Sequence, residues 1–267
     1  MKLLDTVYGN RPLNRCTVES FEDALTKLAK VRKWKAATYN RYLNRCVAIA
    51  NLSKLALKID KKKIPKSKDQ RMRVLTGEEW DKLYTVLSAW PHMQPLVKLA
   101  LFTGLRQSNI THLRWEYVDV RREMLTIPGD EAKEEAPIAI PLCVEAMEVL
   151  TLQLEKKVGE WVFPYHPKGE PVTNINHVWH LALEAAGLGH YERWMSADGK
   201  RHEKWHGDFV WHGLRHTWAS WQRVAGTPME DIQALGAWKD ARSVARYSHT
   251  NVEHLRKAAQ NIKPWSK

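Results

Sequence analysis

Three short segments of this chain carry residue types that can bind and attack a phosphate. The first is Thr103-Gly104-Leu105-Arg106, followed by Gln107-Ser108-Asn109. The second is His212-Gly213-Leu214-Arg215-His216. The third is Ala245-Arg246-Tyr247-Ser248-His249. A guanidinium is permanently charged and offers paired, planar N–H donors, so two arginines can clamp both non-bridging oxygens of one phosphate. His212 and Arg215 are spaced i and i+3 and would share one face of a helical turn. A free tyrosine has a pKa of about 10, so Tyr247 would need nearby cations or a base to attack at neutral pH. Taken singly, each arginine also reads as half of a surface ion pair, and each histidine as a structural residue.

In this order, the segments resemble the active-site boxes of the tyrosine recombinases, the phage-integrase family. The resemblance covers residues 75–255, and Ala37-Thr38-Tyr39-Asn40-Arg41 resembles part of that family's helical core-binding domain. It implies DNA strand breakage and rejoining. Tyr247 would be the nucleophile, leaving a 3′-phosphotyrosine and a free 5′-hydroxyl. Arg106 and Arg215 would hold the phosphate, and His212 would assist proton transfer. Lys133, ahead of Pro137-Ile138-Ala139-Ile140-Pro141-Leu142, resembles the family's hairpin lysine, the acid for the departing 5′-oxygen. By itself Lys133 also reads as an exposed turn lysine. Trp238, in Leu235-Gly236-Ala237-Trp238, resembles the box whose indole N–H donates to phosphate, the alternative being an ordinary buried tryptophan. His216 is expected to support the fold.

The resemblance implies no cofactor and no metal. Neither a Walker motif nor an acidic metal cluster is legible. His202 and His206 have zinc-like spacing but no paired cysteines, so zinc is the minor reading. Implied partners are double-stranded DNA core sites, further copies of the chain in a synaptic homo-tetramer, and accessory DNA-bending proteins. The implied process is integration or excision of a phage or other mobile element. Two other readings stay open: relaxation of DNA in the manner of a type IB topoisomerase, and a catalytically impaired, integrase-derived DNA-binding protein.

Three departures from the family pattern stand out. Asn109 occupies a position often held by Glu. Gly213 replaces the usual Asp between the His and Leu-Arg, which predicts a weakened turn and faster cleavage in Gly213→Asp. The N-terminal part is short, with no separate arm-type DNA-binding domain legible.

These residues need rigid elements to hold them. Phe21, Ala24, Leu25 and Leu28, then Tyr39, Tyr42, Leu43, Cys46, Val47 and Ala50, recur at helical spacing. Thr76-Gly77-Glu78-Glu79 predicts a capping box ahead of a helix that buries Trp80, Leu83, Tyr84 and Leu87. Residues 95–103 are almost wholly apolar and predict a core helix. Met124-Leu125-Thr126-Ile127 and Pro137-Ile138-Ala139-Ile140 predict two strands around a polar turn, and Trp161-Val162-Phe163 another extended piece. Residues 189–208 read as a polar insertion. Thr227-Pro228-Met229-Glu230 predicts a second capping box, with Gly236 stopping that helix. Beyond Tyr247, the stripe Val252, Leu255, Ala259 and Ile262 predicts a tail helix ending at Pro264.

The predicted architecture is mainly α with a small antiparallel β-sheet, an α+β recombinase catalytic fold behind a small helical domain. The expected divisions are a partial core-binding domain over 1–60, a basic linker over 61–74 and a catalytic domain with its tail over 75–267. The formal net charge of +12 over 267 residues favours a polyanionic partner. The scattered cysteines Cys16, Cys46 and Cys143 form no pair pattern and read as reduced thiols. No apolar run is long enough to span a bilayer, and no secretory h-region opens the chain. A bacterial cytoplasmic location, on the nucleoid when DNA is bound, is therefore expected, with no membrane partner.

Overall fold

The computed structural model describes residues 17–52, 72–131, 136–165 and 169–248. The chain divides into two compact units, residues 1–70 and residues 71–267. In the first, helix α1 (Val18–Val31) starts at a reciprocal cap between Thr17 and Ser20. Helix α2 spans Ala36–Leu52. Phe21, Leu25 and Ala29 of α1 pack on Tyr39, Leu43 and Cys46 of α2, as the helical spacing requires. Trp34 stacks on Tyr42 at 4.2 Å.

The second unit opens with α3 (Gly77–Val86), whose capping box between Thr76 and Glu79 is present as expected. Arg73 pairs with the same Glu79 carboxylate, so one side chain both caps the helix and anchors the segment before it. Helix α4 (Met93–Thr103) is the centre of the unit. Met93, Leu96, Val97, Leu99, Ala100 and Leu101 are all buried, and α4 packs on both α6 (Val144–Glu155) and α8 (His212–Val224). A helix this apolar, its one charged residue Lys98 paired with Glu148 at 2.7 Å, belongs in such a position. The short α5 (Gln107–Thr111) follows directly.

Strands β1 (Val118–Asp119), β2 (Met124–Ile127) and β3 (Ile138–Pro141) form an antiparallel sheet in the order β1-β2-β3. Leu125, Ile127, Ile138 and Ile140 point into the core, while Thr126 and Ala139 face out, the period-2 pattern of a one-sided sheet. Lys133 belongs to the β2–β3 connection and lies outside the described residues. The tail stripe at 252–262 and Cys16 also lie outside them. Trp161 makes an isolated bridge to Arg114, and the strand itself, β4 (Pro164–Tyr165), pairs with β5 (Glu170–Pro171). Among the described residues, no helix is long and apolar enough to cross a membrane.

The supposed polar insertion is an antiparallel hairpin, β6 (His190–Met195) paired with β7 (Arg201–His206), following α7 (Asn176–Ala185). Its strands are mostly exposed on both faces, so no hydrophobic alternation marks them. Ring stacking and ion pairs hold the hairpin down instead. Trp205 stacks on His180 of α7 at 4.5 Å, and Arg193 pairs with Glu184 of α7 at 2.7 Å. On a strand, His202 and His206 are separated by about 13 Å of rise, too far for one zinc ion. Each has a local partner: His202 bonds Ser196 at 3.0 Å and His206 bonds Glu192 at 2.8 Å.

One local expectation is corrected and one is met at α9 (Met229–Leu235). Pro228 is its N-cap, with no side-chain cap bond, and the Thr227 hydroxyl donates instead to Gln222 at 2.7 Å. Gly236 does end the helix, yet its φ is −82°, and the left-handed residue is Ala237 at φ 49°. Glycine is needed here for space. A Cβ at position 236 would stand 2.0 Å from the Trp238 ring. Helix α10 (Ala241–Ala245) follows, capped by Asp240.

Candidate active site

The site grows out of two helix ends that meet on α8. Helix α4 stops at Gly104, whose φ of 64° is left-handed. A Cβ there would also collide with the Trp218 ring of α8 at 2.4 Å. This glycine therefore sets the close approach of α4 to α8 as well as the turn. Two residues on, half-buried Arg106 takes an extended backbone and becomes the N-cap of α5. Arg215 is 3% exposed on α8. Its Nη1 donates to the Gly104 carbonyl at 2.6 Å, and its Nη2 donates to the Gly236 carbonyl at 2.5 Å. The guanidinium also lies over the Trp238 ring, 3.9 Å from the centroid. One side chain thus fastens the loop that leads to Arg106 and the loop that carries Trp238.

Tyr247 closes the arrangement. It lies just beyond α10 and is 2% exposed. Its ring is 5.9 Å from the Trp238 ring and 5.9 Å from the His216 ring. Its Oη is 2.6 Å from His216 Nδ1. His212, exposed at the first position of α8, meets His216 edge to face at 4.7 Å. Burial, with His212, Arg246 and Arg215 adding to it, lowers the His216 pKa to about 4. Burial raises the Tyr247 phenol above its ordinary value, against the pull of Arg246 and Arg215.

The base of α8 is tied down independently. Thr217 donates to the Gly213 carbonyl at 2.8 Å and accepts from the Leu75 N–H at 3.0 Å. Trp221 Nε1 donates to the Leu75 carbonyl at 3.1 Å. His212, Arg215, Trp238 and Tyr247 are thus brought into one network, with Arg106 two residues from its edge. The expectation for His216 is extended, since it bonds the phenol directly. The chain gives no local signal for this contact, because the partner lies 31 positions away. Asn109 is buried at 6% exposure with its Nδ2 unpartnered, beside a small cleft lined by Ser108, His112 and Tyr117. Among the described residues, no group of three His, Cys, Asp or Glu side chains is placed to hold a metal.

The sequence reads Gly213 as a missing support, whereas the structure fills the space beside it. Gly213 is buried, and a Cβ there would stand 2.5 Å from the ring of Phe209, itself 0% exposed. The turn carrying His212 and Arg215 is supported by that aromatic ring, which occupies the space a side chain would need. Gly213→Asp should therefore overpack the core and bury a carboxylate, costing about 2–4 kcal/mol. A melting temperature equal to or above wild type would refute this account.

Comparison with known proteins supplies the lineage. Residues 73–254 match the profile of the phage integrase family. The chain is 33% identical over 215 residues to the integrase of Salmonella phage P22, covering 75% of this chain and 49% of that protein. It thus spans about half the length of that relative. Among solved structures, it is similar to the Tn1549 transposon integrase in complex with circular intermediate DNA, with a TM-score of 0.70 and 15% identity, covering 98% of this chain and 92% of that one. It is also similar to a lambda integrase dimer bound to a COC′ core site, with a TM-score of 0.64 and 20% identity, covering 100% and 88%. With its matched segment spanning all three boxes of the buried network, the chain belongs to the phage integrase family.

Proposed function

We propose that this chain is a tyrosine-type site-specific DNA recombinase that cuts and rejoins DNA through a 3′-phosphotyrosine, integrating or excising a phage or other mobile element. The observation that carries the reading is the packing of Tyr247 against Trp238 and His216, beside a buried Arg215, in a member of this family. In the proposed step, Tyr247 Oη bonds to phosphorus and the bond from phosphorus to the 5′-oxygen breaks. Arg106 and Arg215 offset the charge of the phosphorane, and Trp238 donates its indole N–H to it. The phenolic proton leaves Tyr247 Oη with the assistance of His212, which passes it to solvent, and Lys133 protonates the departing 5′-oxygen. The ester conserves the bond energy, so the step needs no nucleotide.

The same reading assigns residues 1–60 to core binding, 61–74 to a basic linker and 75–267 to catalysis and the tail. The partners are double-stranded core sites, three other protomers in a synaptic tetramer, and accessory DNA-bending proteins. Two solved relatives bound to DNA and the net charge of +12 support the DNA partner. The place of action is the bacterial cytoplasm, on the nucleoid.

The test is a nicked duplex carrying the repeat that flanks the gene. Wild-type protein should form an SDS-stable adduct on it and yield recombinant product with a second site. Relaxation of supercoiled DNA without sequence preference, and no recombinant, would replace this reading with a topoisomerase. Binding with no adduct would indicate a DNA-binding protein that has lost its chemistry.

A further inference from the structure

The recombinase reading gives His216 no task, yet His216 touches the atom that would attack phosphorus. Its Nδ1 is 2.6 Å from Tyr247 Oη. The Tyr247 ring is buried and lies near His216 on one contact and Trp238 on another. His216 is adjacent in sequence to Arg215, whose guanidinium holds Trp238 at 3.9 Å. Helix α8 therefore addresses the tyrosine twice, once through Arg215 and Trp238 and once directly through His216. Resting on the assignment of Tyr247 as nucleophile, we propose that His216 positions it: Nδ1 accepts the phenolic O–H and fixes Oη relative to Arg215.

The direction of the bond follows from the chemistry of the two groups. A phenol is a stronger donor than a neutral imidazole N–H, and an imidazole nitrogen is a stronger acceptor than a phenol oxygen. Both groups are neutral at pH 7. His216 accepts a proton only at about pH 4, because burial and the facing His212, Arg246 and Arg215 oppose its charged form. The phenol keeps its proton beyond its usual range because it is buried. Transfer of the proton from tyrosine to His216 at rest is therefore strongly uphill, and the contact orients the nucleophile. Orientation has a large effect here, since a displacement of about 1 Å can cost about 100-fold in rate.

The experiment compares His216→Phe, which keeps a ring and removes the acceptor, with His216→Asn, whose side-chain oxygen can replace Nδ1. Single-turnover cleavage of the nicked duplex is measured at saturating protein, alongside DNA affinity and melting temperature. His216→Phe should cleave about 10- to 100-fold more slowly, with affinity changed by less than about threefold. His216→Asn should recover to within about fivefold of wild type, with a rate profile from pH 6 to 9 parallel to wild type. Wild-type speed in His216→Phe would overturn the proposal. Equal slowing in both variants would also overturn it, because the imidazole would then supply something a hydrogen-bond acceptor cannot.

A second measurement does not depend on cleavage or on His216→Phe folding. Tyrosine labelled at Cζ is incorporated, and Tyr247→Phe identifies the Tyr247 resonance. That resonance should shift on His216→Ala and return toward its wild-type position on His216→Asn. No shift on His216→Ala would overturn the contact. If wild-type protein forms no adduct, the recombinase reading falls and the positioning role falls with it, whatever the Cζ signal shows.

Discussion

Tyr247→Phe should form no SDS-stable adduct with nicked core-site DNA while still binding that DNA. The substitution removes one oxygen and keeps the ring between Trp238 and His216. The fold should tolerate this. Losing the bond to His216 at 2.6 Å should cost about 1 kcal/mol, a fraction of the stability of a domain this size. Affinity should change by less than about threefold, because phosphate contacts from cationic side chains dominate DNA binding and Tyr247 carries no charge. The chemistry has no such tolerance. Phosphate-ester cleavage is among the slowest uncatalysed reactions, so water cannot replace the phenol on a laboratory timescale. Adduct yield should fall by at least about 10,000-fold. Adduct at undiminished yield in Tyr247→Phe would place the nucleophile elsewhere, and peptide mapping would find it. Strict dependence of the wild-type adduct on a divalent metal would also contradict a site whose positive charge comes from side chains.

What the sequence made legible, and what it hid, follows from the range of the forces involved. The Thr76 capping box, the apolar α4 and the alternation in β2 and β3 could all be read, because each rests on interactions between residues a few positions apart. The Arg106, Arg215 and Tyr247 boxes were legible because a family resemblance already encodes their long-range arrangement. The contact of His216 with Tyr247 and the carbonyl partners of Arg215 were hidden, because each joins elements far apart in the chain. Gly213 shows the same limit in another form. Read locally, glycine is a missing support; in three dimensions, Phe209 fills the space, and an Asp side chain there should cost stability. The β6–β7 hairpin was hidden because cross-strand polar and aromatic pairs, not a buried face, hold it together. The Thr227 motif had the composition of a cap, but its hydroxyl found Gln222 first.

Arg215→Lys should be nearly as damaging as removal of the side chain, although it conserves charge. The guanidinium performs three tasks at one buried position. It donates to Gly104, donates to Gly236 and stacks over Trp238. The two carbonyls belong to loops on opposite sides of α8 in the sequence, 111 and 21 positions away. A lysine ammonium is a compact point charge and cannot reproduce a planar fork that reaches both carbonyls while lying flat on an indole. Hydrogen bonds from a charged donor contribute about 1.5–3 kcal/mol each, and a desolvated cation–π contact about 2 kcal/mol. Losing one carbonyl and the stacking should therefore cost about 3.5–5 kcal/mol, partly recovered by relaxation. The effect on cleavage should be larger than this loss alone implies, at least about 1,000-fold, because the proposed clamping of phosphate by Arg215 would also be lost. Thermal melting and single-turnover cleavage at a temperature where the variant remains folded separate the two effects. A lysine variant that melts and cleaves like wild type would show that only the charge of Arg215 matters and that its fork holds nothing together.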